Sequence, residues 1–120
     1  VIRIYEEMDV VTHAWTMGAR LVGHFHELAN EFDIIGDIRG EGLMLGIELV
    51  ADRETRTPFE PALKAGMAFD RLAYANGLIG RCMGDTLGFS PPLIVGTAEV
   101  DEIADKTRTS LKQLTRHLGR

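Results

Sequence analysis

The stretch Arg81-Cys82-Met83-Gly84-Asp85-Thr86-Leu87-Gly88-Phe89-Ser90-Pro91-Pro92-Leu93 is the part of this chain best equipped for chemistry. An arginine closes one apolar run, a Gly-Asp turn follows, and Pro-Pro closes a second run. A guanidinium so placed can grip a carboxylate, because its planar fork donates two parallel hydrogen bonds. The blander account is a strand-end arginine satisfying a surface carboxylate, and on position alone it is the better one. Arg39 is a second candidate anion site. Asp37 stands two residues away on the same strand face, so a structural ion pair is the favoured reading there.

Other reactive side chains carry less. His13, His24 and Glu27 share one helix face and, with His26, suggest a metal site. His24 and His26 point about 200° apart on a helix and cannot ligate the same ion. No cysteine or aspartate cluster completes the set, so no metal is expected. Cys82 would be an activated thiol if Arg81 faced it. Adjacent strand residues face opposite sides, which favours a half-buried, inert cysteine. Gly36, Gly40, Gly42 and Gly46 match no phosphate-cradling pattern that opens a helix.

The elements that position these groups belong to one domain, since 120 residues leave no room for a second core. A chain of this size buries roughly two-thirds of its unfolded surface and needs no staples. The single cysteine offers no intramolecular disulfide and fits a reducing, cytoplasmic compartment. A net charge of −5 with scattered basic residues supplies no field for nucleic acid or an anionic membrane. No apolar run approaches the roughly 20 residues of a membrane span, and no signal-peptide pattern opens the chain. Val1 stands where Met would, with a helical pattern already near, so the chain reads as cut from a longer protein.

Val10, Ala14, Met17, Leu21, Phe25 and Leu28 recur at helical spacing, with an exit near Asn30 to Asp33. Arg3, Glu6, Glu7 and Asp9 make the start of that helix polar. Two apolar runs between Ile34 and Val50 flank Arg39-Gly40-Glu41-Gly42, which reads as strand, tight glycine connection, strand. Leu43, Leu45, Ile47 and Leu49 alternate with Met44, Gly46, Glu48 and Val50, as a half-buried strand does, and Gly46 can admit a close neighbour. Ala51 to Pro61 is a surface loop. Ala65, Phe69, Leu72 and Ala73 mark a second helix stopped by Asn76-Gly77. Leu78 to Cys82 and Thr86 to Phe89 read as strands about Gly84-Asp85, with Pro91 and Pro92 ending the ladder. Thr97 reads as the N-cap of a last helix whose acidic start (Glu99, Asp101, Glu102) and basic end (Arg116, His117, Arg120) suit its dipole. Val100, Ile103, Thr107, Leu111, Leu114 and Leu118 supply its buried face. The expected fold is α/β of the α+β kind: a small antiparallel sheet of about four strands with helices on one face, in the order α-ββ-α-ββ-α.

Three blocks carry a resemblance. Gly36-Asp37-Ile38-Arg39-Gly40-Glu41-Gly42-Leu43-Met44-Leu45-Gly46-Ile47-Glu48-Leu49-Val50 is the first. Asn76-Gly77-Leu78-Ile79-Gly80-Arg81, continuing through Gly84-Asp85 and Ser90-Pro91-Pro92-Leu93-Ile94, is the second. Thr97-Ala98-Glu99-Val100-Asp101-Glu102 is the third. In this order they resemble the C-terminal small domain of class III aminotransferases, the ω-transaminase group of pyridoxal-phosphate (PLP) enzymes, across nearly the whole of residues 1–120. The resemblance implies that a large domain absent from this chain carries PLP on a lysine. It implies no catalytic or cofactor-binding residue here, and no family motif surrounds Lys64, Lys106 or Lys112. The fragment alone is expected to be inactive. Arg81 matches the arginine that pairs with the substrate or acceptor carboxylate in amine and ω-amino-acid:pyruvate transaminases, turning in for an anion and out for an apolar donor. The resemblance thus implies a keto acid or amino acid substrate and a homodimeric, cytoplasmic parent. The competing reading is a non-enzymatic α/β ligand-binding or regulatory module.

Overall fold

Leu21, Phe25 and Leu28, spaced by three and four residues, are almost wholly buried in the computed structural model, and they fix the first helix against a sheet. The structure describes residues 10–42, 44–91 and 95–120. Arg3, Glu6, Glu7 and Asp9, the side chain of Val10, Leu43, and Pro92, Leu93 and Ile94 lie outside the described residues. Helix α1 runs Val10–Glu31. Its expected stripe is buried from Ala14 through Met17 to Leu28. Past its end, Arg53 donates to the carbonyls of Ala29 (2.6 Å), Phe32 (2.7 Å) and Ile35 (2.9 Å). These bonds serve backbone acceptors around the end of the helix.

Strands β1 (Ile35–Glu41), β2 (Met44–Leu49), β3 (Arg81–Met83) and β4 (Thr86–Phe89) form one sheet in the order β1-β2-β4-β3, antiparallel throughout. Ile38, Ile47, Leu87 and Cys82 align in one cross-strand row on the helix-facing side. Leu45, Leu49 and Phe89 share that side and are buried; the Phe89 ring lies 4.9 Å from that of Phe25. After a 3-10 turn at Pro61–Leu63, helix α2 spans Ala65–Ala75, and helix α3 spans Thr97–His117. Helices α1 and α2 pack on the sheet, and α3 packs on both of them. The expected α-ββ-α-ββ-α order and the α+β class hold.

Helix α2 stops where Asn76-Gly77 predicts. Gly77 takes a φ of +85°, its N–H bonds the Tyr74 carbonyl (3.0 Å), and the Leu78 N–H bonds that of Ala73 (2.8 Å). This double bond is the Schellman arrangement, in which glycine avoids the left-handed penalty of a Cβ. Asn76 also donates to Ser110 (3.0 Å) and Gln113 (2.9 Å), tying the end of α2 to α3. Thr107, the polar member of the α3 face, is fully buried and donates to the Ile103 carbonyl at 2.7 Å.

Three expectations need correction. The first connection is not Arg39-Gly40-Glu41-Gly42: β1 continues to Glu41, which pairs with Met44. Gly42 supplies the positive φ of the turn (+58°). Gly40 is a packing glycine, since a Cβ there would lie 2.4 Å from the Leu45 side chain and 3.1 Å from that of Val22. The third strand begins at Arg81 rather than Leu78, because the Leu78 N–H is taken by the α2 cap. Thr97 is the first residue of α3 and not its cap. The cap is Gly96, in extended backbone, and the Glu99 carboxylate fills the space where a Cβ on Gly96 would stand, 2.7 Å away.

Candidate functional site

Pleating sends alternate residues of each strand to the face that, among the described residues, no helix covers. Register then sets Arg39, Gly46, Gly88 and Arg81 in one row across all four strands. Asp37, Glu48, Thr86 and Met83 form the neighbouring row. An open groove of about 1110 Å³ runs over this face, lined among others by Arg39, Met44, Gly46, Gly88, Arg81 and Met83. Gly46 and Gly88 stand opposite each other as its floor. Neither has a positive φ, and a Cβ on either would meet nothing nearer than 3.5 Å. The fold itself therefore does not demand glycine at these two places. The alternation of β2 indicated that Gly46 faces outward, but its pairing with Gly88 is a matter of register that the sequence alone does not display.

The two arginines at the ends of the row differ. Arg39 donates from Nε to Asp37 (3.0 Å) and from Nη2 to Glu48 (2.9 Å). The hydrogen bond from Arg39 is the main reason the Asp37 carboxyl sits below its ordinary range, and Asp37 in turn raises Arg39. The expected structural ion pair is present, with Glu48 as a further partner. Arg81 is exposed and, among the described residues, its side chain makes no hydrogen bond or ion pair. Its cross-strand neighbour is Gly88, so no side chain screens it from the β4 side.

The remaining candidates are engaged in structure. Cys82 is half-buried on the helix side, and burial, followed by the charges of Asp70 and Asp85, pushes its thiol up. That agrees with an inert cysteine. His24 lies 2.8 Å from Asp101, which also receives two bonds from Arg20 (2.8 and 2.9 Å). His13 meets the Val95 carbonyl at 2.5 Å, while His26 is exposed. Among the described residues no group of three or more potential metal ligands comes together. No described helix is long and apolar enough to cross a membrane.

The family model described as aminotransferase class-III matches residues 1–111. The chain belongs to that family. It is 38% identical over 122 residues to an uncharacterized aminotransferase, y4uB, of Sinorhizobium fredii, covering all of this chain and 26% of that protein. It is 36% identical over 119 residues to the taurine–pyruvate aminotransferase of Rhodobacter capsulatus, covering 94% of this chain and 26% of that enzyme. The fold superposes on the ω-transaminase of Pseudomonas jessenii in complex with PMP with a TM-score of 0.91 and 35% identity, covering 98% of this chain and 26% of that one. The chain thus spans about a quarter of the length of the curated relatives it matches. Membership favours the aminotransferase reading over a free-standing, non-enzymatic module.

Enzymes of this family depend on PLP, which needs a lysine amine, a carboxylate for the pyridine nitrogen and donors for its phosphate. Among the described residues no lysine lines the groove. Lys106 is held by Glu102 (2.9 Å) and the Gly77 carbonyl (3.3 Å), and Lys64 and Lys112 are exposed.

Proposed function

We propose that this chain is the C-terminal small domain of a PLP-dependent class III aminotransferase, an amine or ω-amino-acid:pyruvate transaminase, and that Arg81 binds the carboxylate of its keto acid or amino acid substrate. The carrying observation is the contrast across the groove. Of the two arginines there, Arg39 is neutralised by Asp37 and Glu48, whereas Arg81 has no partner among the described residues. An unpaired guanidinium beside a glycine floor can accept an anion without first breaking an ion pair. The large domain of the full-length enzyme holds PLP and performs the transfer; bound there, the cofactor supplies the electron sink. This chain contributes recognition and no catalytic residue. The parent enzyme is a cytoplasmic homodimer in this reading.

Arg81→Ala in the full-length protein tests it. The loss in kcat/KM for the keto acid is expected to be about 1.5–3 kcal/mol, the contribution of a charged hydrogen bond, or roughly 10- to 150-fold. The half-reaction with an uncharged amine should change little. Equal damage to both half-reactions refutes the assignment.

A further inference from the structure

Strand β3 has three residues and lies at the edge of the sheet, so its ladder alone is a weak support for Arg81. The turn that follows it is fastened from two directions. The Asp85 side chain accepts a hydrogen bond from the Gly66 N–H at 3.0 Å, in the first turn of α2. The Asp85 carbonyl accepts from the Leu49 N–H at 2.9 Å, at the end of β2. Helix α2 has no cap of its own: Lys64, which precedes it, sits in the left-handed region (φ 48°) and makes no side-chain capping bond. A carboxylate from a distant turn thus takes the place of an N-cap, where the helix dipole favours a negative charge. Gly66 makes the approach possible, since a Cβ there would fall 2.0 Å from the Gly84 carbonyl oxygen.

We infer that Asp85 is a positioning residue for substrate recognition: it locks the β3–β4 turn onto the start of α2 and so fixes the strand from which Arg81 projects. The inference rests on the reading of Arg81 as the carboxylate anchor. Asp85 touches no substrate in this role and acts only through Arg81. Its effect therefore falls on the half-reaction that uses the carboxylate, and it vanishes when Arg81 is gone.

The experiment uses the full-length, PLP-loaded protein with Asp85→Ala, Asp85→Asn, Arg81→Ala and the Arg81→Ala/Asp85→Ala double variant. Asp85→Ala should raise the pyruvate KM about tenfold, with the uncharged-amine half-reaction nearly unchanged. Asp85→Asn keeps an acceptor for the Gly66 N–H and should recover most of that loss. In the Arg81→Ala background, Asp85→Ala should cost nothing further for pyruvate. Hydrogen exchange provides a readout apart from activity: Asp85→Ala should speed exchange across residues 81–86 and at Leu49, and Asp85→Asn should not. Where Asp85→Ala does not yield folded protein, Asp85→Ser, which retracts the acceptor but remains polar, is read in its place. If Arg81→Ala itself fails to separate the two half-reactions, the anchor reading fails. If Arg81→Ala separates them but the Asp85 variants damage both equally, or add their full loss on top of Arg81→Ala, the positioning role is overturned.

Discussion

Helix α1 carries two glycines five residues apart, and the structure assigns them opposite responses to the same substitution. Gly18 is buried against the β1–β2 turn: an added Cβ would lie 1.9 Å from the Gly42 carbonyl oxygen and 2.5 Å from its carbonyl carbon. Side-chain carbons essentially never come within 3.0 Å of such atoms, so the turn must retreat. Overpacking of this kind costs about 1–3 kcal/mol. Gly23 is exposed on the same helix with nothing within 4 Å of its added Cβ. Both Gly18→Ala and Gly23→Ala gain the helix preference of alanine, about 0.8–1 kcal/mol. That gain cancels in the comparison, leaving Gly18→Ala the less stable by about 1–3 kcal/mol. Urea unfolding of the two variants should show midpoints separated by roughly 1 M, with Gly23→Ala above the parent. If both midpoints rise together, the turn does not press on α1, and the packing described at Gly18 is wrong.

Two further perturbations concern ionisable groups away from the groove. Hydrogen bonds from Arg20, then from His24, hold the Asp101 carboxyl well below the usual carboxylate range. A folded-state pKa below the unfolded value of about 3.9 gives stability that is fully present above that pH and lost as pH falls toward the lower folded value. Urea midpoints should therefore drop more steeply below about pH 4 for the parent than for Asp101→Asn; parallel curves in acid would show that the α1–α3 clamp is not formed. Cys82, raised chiefly by burial, should be alkylated at neutral pH more slowly than a free thiol and reach the free rate in urea; a rapid reaction in the folded protein would place it elsewhere.

The elements most legible in the sequence are those whose signal is local. The α1 stripe from Ala14 to Leu28 is a repeat of apolar residues, and the α2 stop needs only Asn76-Gly77, because a positive φ and its two hydrogen bonds are contained in adjacent residues. What was misread depended on packing rather than on residue type. Gly40 resembles a turn residue until Leu45 and Val22 are seen to occupy the space of its missing Cβ. Thr97 resembles a cap until Glu99 is seen to fold over Gly96. The candidate site followed the same division. The Asp37–Arg39 pair was legible from same-face spacing, whereas the third partner, Glu48, belongs to the next strand and enters only through register. Composition and spacing do not distinguish Arg81 from an ordinary surface arginine; its proposed role rests on the resemblance carried by the blocks around it.

The sheet order bears directly on the positions open to the Arg81 side chain, and so on the carboxylate-binding role proposed for it. Arg39 projects from β1 beside two carboxylates, and leaving them would forfeit both of its ion pairs. Arg81 projects from the opposite edge, where its neighbours on the same face are Gly88, Thr86 and Met83, none of them an acid. Among the described residues no strand lies beyond β3 in the sheet, so its side chain can turn outward without crossing a neighbouring strand. It can also lie inward over Gly88, which presents no side chain to obstruct it. Neither position breaks an existing contact among the described residues, so the choice between them falls to whatever enters the groove. A carboxylate favours the inward position through charge-assisted hydrogen bonds, and an apolar group favours the outward one, since it would otherwise desolvate the guanidinium without compensation.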